Sequence, residues 1–295
     1  MDKNILNKYI KAGQIAKQVK EYGKTLVKEG ALALDIAEKI DAKIMELGGK
    51  PAFPTDVSIN EIAAHYCPVF NDKIVLKKGD LVKLDLGVHI DGYLVDTAIS
   101  VSVGKIEENE KLIKAANSAL KRAVSLIKPG VKVSKAGKAI QEEVSKYGFQ
   151  IIRNLSGHSI DRWQVHAGLT IPNYDNGDKK ELEEGDIIAI EPFPTTGEGI
   201  VIEGKNSEIY EAVKDGNIRA CREVLDYIAE EFKTLPFCKR YLIKKFGLLK
   251  ASLAIKQMLS AGIINEFKIL REKGKGKVAQ AEHTLIVGKV NRILT

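Results

Sequence analysis

Cysteine is scarce in this 295-residue chain, which carries only Cys67, Cys221 and Cys238. Three thiols so widely spaced build neither a disulfide framework nor a thiolate zinc knuckle, and they suit a reducing, cytoplasmic setting. Arginine is scarce as well, with 8 residues against 38 lysines. Base reading and bidentate phosphate clamping lean on the planar guanidinium, so this balance argues against a specific DNA reader. No run of 18 apolar residues occurs and no apolar leader follows Met1-Asp2-Lys3-Asn4, so neither a membrane span nor a secretion signal is read, and a soluble, cytoplasmic protein is expected. What is present is a globular mixture, 44% hydrophobic and 29% charged, with charges of both signs interspersed and a net charge of +7. A chain this long buries roughly 75% of its surface on folding. It needs no metal merely to fold, so a metal found here would be functional.

Apolar residues recur with helical spacing at Ile5, Leu6, Tyr9, Ile10, Ile15, Val19, Tyr22 and Leu26, then at Ile36, Ile40 and Ile44, with Gly48-Gly49 as a stop. From Leu81 the period changes to two. Asp91-Gly92 separates the runs 81–90 and 93–103, a strong hairpin signal. Two further helices are expected at about 107–127 and about 134–147, the second starting at Ser134. Short strands follow at 149–153, 167–171 and 186–190. Helical spacing returns without glycine punctuation at 220–232, 237–246 and 249–259, and the chain resumes strand character at 278–287. The reading is an α+β core, residues 1–205 and 265–295, interrupted by an inserted helical subdomain at 206–264.

Two segments echo each other. Gly79-Asp80-Leu81-Val82-Lys83-Leu84-Asp85 and Gly185-Asp186-Ile187-Ile188-Ala189-Ile190-Glu191 both run from Gly-Asp through mostly apolar residues to an acid six positions past the glycine. An acid on an apolar strand is expensive unless paired or bound to a cation. With Asp91-Gly92 as a two-residue turn, Ile90 pairs with Tyr93 and Asp85 with Ala98, which puts Asp96 on the same face as Asp85, roughly 7–8 Å away on the diagonal. Two carboxylates aimed into one space call for a divalent ion between them. Glu191 and Glu282 sit in similar apolar, strand-like surroundings. Four carboxylates neutralise two divalent cations, and an oxygen-dominated set with one imidazole suits manganese, cobalt, iron or zinc. His65, His89, His158, His166 and His283, taken singly, read as structural or surface residues, and Phe53 equally as a packed core aromatic.

Taken together, several motifs resemble one family. They are Lys50-Pro51-Ala52-Phe53-Pro54, Ser58-Ile59-Asn60-Glu61-Ile62-Ala63-Ala64-His65-Tyr66, the Asp85/Asp96 pair, Asn154-Leu155-Ser156-Gly157-His158, His166-Ala167-Gly168, Ile190-Glu191-Pro192-Phe193 and Glu282-His283-Thr284. Over nearly the whole chain they resemble type 2 methionine aminopeptidases of archaeal form, of peptidase family M24. The resemblance implies a pita-bread fold with pseudo-two-fold symmetry, a winged-helix-like insert between Glu191 and Glu282, and two divalent metal ions, cobalt, manganese, iron or zinc. It also implies that Asp96 and Glu282 bridge the ions, that Asp85 holds one, and that His158 and Glu191 hold the other. Glu191 then serves as proton shuttle, His166 stabilises the oxyanion, and His65 contacts the substrate near the scissile amide. Phe53 and Val165 are the candidates for the methionine pocket. His89, near the hairpin tip, is expected at the surface, and His283 on the face opposite Glu282.

The implied activity is removal of the N-terminal, initiator methionine from nascent chains when the second residue is small. Two alternatives stay open, an X-Pro dipeptidase or aminopeptidase P of the same fold, and a non-catalytic pita-bread binding protein. Ala281, where an aromatic residue is usual, and Ser156, where asparagine is often found, depart from the family pattern. A monomer is expected. The basic surplus suits work near ribosomal RNA, while the inserted helices read first as a wall of the substrate cleft.

Overall fold

The computed structural model describes residues 1–216 and 218–295. Helices α1 (Lys3–Leu26) and α2 (Ala33–Glu46) lead into strands β1 (Lys50–Ile59), β2 (Ile62–Ala64), β3 (Leu81–Ile90) and β4 (Tyr93–Ser102). Then come α3 (Glu107–Val124), α4 (Val133–Ser145), β5 (Gln150–Ile151), β6 (Ser156–Ser159), β7 (Thr170–Pro172), β8 (Ile187–Ile190), β9 (Pro194–Thr195) and β10 (Val201–Ala212). The helices α5 (Arg222–Glu231), α6 (Lys239–Phe246) and α7 (Leu248–Ser260), with β11 (Phe237–Cys238) between the first two, precede β12 (Ile264–Glu272), β13 (His283–Ile286) and β14 (Arg292–Ile293).

The first half packs the apolar stripes of α1 and α2 against the sheet β1-β3-β4. Ile36, Ile40 and Ile44, one helical turn apart, are all essentially fully buried, and each such side chain contributes about 1.5–3 kcal/mol. The second half repeats the plan, with α3 and α4 covering β8 and β13 of the sheet β14-β13-β8-β6-β7. The Gly-Asp echo marks corresponding places in the two halves. Gly79 N–H donates to Val103 O and Val103 N–H to Asp80 O. In the same way Gly185 N–H donates to Val287 O and Val287 N–H to Asp186 O. The same holds at the helix starts, where Ala33 N–H donates to Ile74 O and Val133 N–H to Lys180 O.

The β3–β4 register is the expected one, Ile90 opposite Tyr93 and Asp85 opposite Ala98, because Asp91 and Gly92 both take positive φ (52° and 84°) and close a two-residue turn. Strand β1 holds Pro51 and Pro54, which cannot donate to a ladder. It accordingly pairs with β3 alone, with register shifts between Pro51 and Phe53 and between Phe53 and Asp56.

Several boundaries differ from the sequence reading. The stretch from 201 to 212 is a long strand, β10, paired with β12, so the helices begin only after it. Its Glu203-Gly204-Lys205-Asn206 segment is interrupted by bulges and hides no apolar face, which erased the period-two signal. Lys132 precedes α4, and Ser134 lies inside its first turn without capping it. The strand expected from 278 starts at His283, because 280–284 bonds to β4 largely through side chains. Ser100 Oγ donates to Gln280 O and Thr97 Oγ1 to Glu282 O, while Thr284 Oγ1 accepts from Asp96 N–H and donates to Asp96 O. His89 is buried, 3% exposed, with its ring centroid 5.0 Å from that of Trp163, a contact across 74 positions of sequence. His283 does face away from Glu282, its Nδ1 meeting Thr295 Oγ1 at 3.2 Å.

Candidate metal centre

Each acid reaches the centre for a local reason. Asp85 and Asp96 project from the β3–β4 hairpin onto one face, as the register requires. Glu282 is brought against them by the hydroxyl bonds of Thr97 and Thr284 just described. Glu191 follows β8 directly. His158 is carried on β6, which lies tight against β8 because position 157 is glycine: a Cβ there would stand 2.2 Å from Ala189 O. That approach sets His158 opposite Ala189, two residues from Glu191.

The five predicted ligands converge. Ligand atoms of Asp96, His158 and Glu282 lie within 4.8 Å of one another, as do those of Asp85, Glu191 and Glu282, so Glu282 is common to both groups. Glu191 thus groups with Asp85, although its Oε1 is also 3.6 Å from His158 Nε2; Asp96 Oδ2 is 3.6 Å from the same nitrogen. Asp85 Oδ1, Asp96 Oδ1 and both carboxylate oxygens of Glu282 are buried without a hydrogen-bond partner. Four orphaned anionic oxygens facing one imidazole are untenable as bare charges and fit divalent cations. Burial raises Asp85 to about 6, against the pull of the Gln280 amide. It also raises Asp96, Glu191 and Glu282 well above the usual carboxylate range, and neighbouring acids add to this. Burial pushes His158 down to about 3, so the imidazole is neutral and free to ligate.

A cavity of about 320 Å³ opens over this cluster. Phe53, Val165, His65 and His166 all line it, with Leu155, Phe193, Ile209, Phe267 and Leu270 extending the apolar wall. His166 is exposed at the mouth, its ring 4.3 Å from that of His158. His65 sits at φ 64°, its Nδ1 3.1 Å from Lys268 O, so Nδ1 carries the proton and Nε2 is left as acceptor.

Two residues escaped the sequence reading. Gln280 Nε2 donates to Asp85 Oδ2 (2.9 Å) and Glu191 Oε2 (3.2 Å), tying candidate ligands from the two halves together. It precedes Glu282 by two on an extended segment, and that same-face spacing was the available signal. Asp56 also lines the cavity, buried, with Oδ2 accepting from His65 N–H at 2.8 Å. It is another acid on an apolar strand, the signature that singled out Asp85.

Residues 7–289 match the model of metallopeptidase family M24. A methionine aminopeptidase of Pyrococcus horikoshii is 48% identical over 287 residues, covering 96% of this chain and 97% of that protein. Among solved structures, a thermophilic Arx1 superposes with a TM-score of 0.85 at 17% identity, covering 100% of this chain and 91% of that one. Methionine aminopeptidase from Thermotoga maritima gives 0.73 at 24%, covering 100% and 98%. These two carry the fold alone, a pita bread in which paired halves enclose the site. With the match spanning nearly its whole length, and with the acids and histidine that a divalent cation requires gathered in one cavity, this chain belongs to metallopeptidase family M24.

Proposed function

We propose that the protein is a metal-dependent aminopeptidase that removes the N-terminal methionine of proteins whose second residue is small. The archaeal methionine aminopeptidases that match nearly end to end support the activity. The observation that carries the chemistry is the pair of overlapping ligand groups sharing Glu282, which supports two divalent ions rather than one. Asp85, Asp96, His158, Glu191 and Glu282 would hold them; cobalt, manganese, iron or zinc all suit such donors. When bound, the ions act as Lewis acids that polarise the scissile carbonyl and acidify a water.

The chain's own groups do the rest. Glu191 accepts the proton shed as the water attacks and delivers it to the leaving amine. His166, exposed at the cavity mouth, donates a hydrogen bond to the carbonyl oxygen as charge develops on it. His65 offers Nε2 as acceptor near the scissile amide. Phe53 and Val165 enclose the methionine side chain in the apolar part of the cavity. Ile209, from β10, and Pro236, from the loop between α5 and β11, line the rest of the cleft. Side chains reaching the cleft from the insert support a steric limit on the second residue.

The test is reconstitution of the apo-protein with Mn(II), Co(II), Fe(II) or Zn(II), followed by Met-Gly-, Met-Leu- and Ala-Pro-headed peptides. Release of methionine from the first alone is expected; preference for Ala-Pro would overturn the proposal in favour of an X-Pro peptidase. With four acids committed to the metal centre, the net charge of +7 leaves a basic exterior in the holo-protein, which supports work near ribosomal RNA. Co-sedimentation with ribosomes that weakens with salt is the expected outcome, and absence at low salt would reject it.

A further inference from the structure

We infer that Cys67 and Cys238 are a peroxide-sensitive thiol pair, closing to a disulfide that fastens the inserted helices to the first half of the core. The two meet from distant parts of the chain. Cys67 follows His65 by two residues on the stretch after β2, and Cys238 ends β11, where α6 begins. They are 3% and 1% exposed and form one buried cluster with Ile209, against which Tyr241 and Phe267 pack. Within it the Cys67 S–H donates to Cys238 Sγ. Buried free cysteines ordinarily serve as small apolar fillers. Cys221 does so, in the separate apolar cluster of the insert, where burial pushes its thiol up.

The Cys67–Cys238 pair has different company. The Arg240 guanidinium, itself buried, stands 3.7 Å from Cys67 Sγ through Nη2. Burial raises the Cys238 thiol and Asp41 adds to this, yet the Cys67 S–H and Arg240 outweigh both and hold Cys238 below its usual value. The shared proton therefore rests on Cys67, and Cys238 is the nucleophile. Ile209 and Phe267 belong both to this cluster and to the wall of the cavity, so the pair lies directly behind that wall. Such a seat excludes a bulky oxidant and admits one close to the size of water. Hydrogen peroxide is that oxidant. The Cys238 thiolate attacks one peroxide oxygen, the O–O bond breaks, and the leaving hydroxide takes up the proton that Cys238 gave, forming water and a sulfenic acid. The Cys67 sulfur then attacks Cys238 Sγ, the S–O bond breaks, and the hydroxyl leaves with the Cys67 proton as a second water. The two thiols are oxidised to one disulfide as the peroxide is reduced to two waters.

The experiment uses the zinc-loaded wild type, because zinc takes no part in redox chemistry. The protein is treated with hydrogen peroxide, unfolded in iodoacetamide, digested without reductant and mapped by mass spectrometry. The expected product is a peptide pair joined through Cys67 and Cys238, with Cys221 alkylated, and dithiothreitol should reopen the bond. Because the bond closes a long loop, the joined protein should melt about 5 °C or more above the reduced one. Two variants test the order of attack. In Cys67→Ser, dimedone should trap a sulfenic acid on Cys238; in Cys238→Ser, Cys67 should remain open to alkylation after peroxide. Three alkylated cysteines in the treated wild type, a bond to Cys221, a sulfenic acid trapped on Cys67, or a joined protein that melts no higher than the reduced one would each overturn the inference. None of these readouts depends on peptidase activity.

Discussion

The buried imidazole of His89 makes the protein acid-sensitive in a way that one substitution removes. His89 is 3% exposed, packs its ring edge to face with Trp163, and accepts the Gly92 N–H on Nδ1 at 3.1 Å. Burial, helped by Lys50, lowers it from 6.5 to about 4, while Glu231 and Asp91 pull the other way. A base with a lowered folded-state value stabilises above its ordinary value, and that stability is lost as pH falls, because the unfolded chain takes the proton first. From pH 7.5 to 4.5 the loss from this one group is about 2.5 kcal/mol. In His89→Asn, the amide oxygen takes over the Gly92 N–H, the titration disappears, and the aromatic contact with Trp163 is lost, at about 1 kcal/mol. The variant is therefore expected to be less stable than wild type at pH 7.5 and more stable at pH 4.5. Urea denaturation of both proteins, stripped of metal by a chelator so that acid release of metal cannot intrude, reads the two pH curves. His158 and His283 contribute equally to both proteins and cancel in the difference. Curves that run parallel, never crossing, would refute the reasoning.

His166→Ala should lower kcat by roughly 10²-fold while the metal content, read by atomic absorption, stays at the wild-type level; loss of metal would make His166 a ligand instead. Arg240, 1% exposed, bonds Asp41 at 3.2 and 3.3 Å and Pro68 O at 3.2 Å, fastening α6 to α2. Arg240→Met leaves the Asp41 carboxylate, still bonded by the Thr55 hydroxyl, without its counter-ion and should cost about 3–5 kcal/mol in urea unfolding, much of it recovered in Arg240→Met/Asp41→Leu. A single-mutant loss below about 1 kcal/mol would contradict this account.

How far the sequence could be read depended on whether a feature is set locally. The Asp85/Asp96 face was legible because a two-residue turn fixes every pairing of its hairpin, and a strand cannot slip by one without turning its core outward. The echo around Gly79 and Gly185 was legible for the same reason, since each copy closes its own hydrogen-bonded turn. His89 was misjudged because what covers it, Trp163, arrives from a distant loop that no periodicity in β3 announces. Strand β10 was missed because its bulged, polar middle is held by β12 and not by an apolar face of its own. Asp56 and Gln280 were overlooked because their importance lies in which groups they bond, the His65 N–H for one and two acids for the other, a matter of three-dimensional bookkeeping that residue type alone does not contain.

The sharing of Glu282 between the two ligand groups carries a consequence for how the protein is born. Asp85 and Asp96 are synthesised early, yet the residue that both groups require follows Asp85 by roughly two hundred positions, after the inserted helices and β12. A chain still lacking 280–284 holds a hairpin of mutually repelling acids and no complete donor set. On the ligand set proposed above, hydrolytic competence would be withheld until Glu282 has docked along β4, so a half-made copy would not trim its neighbours.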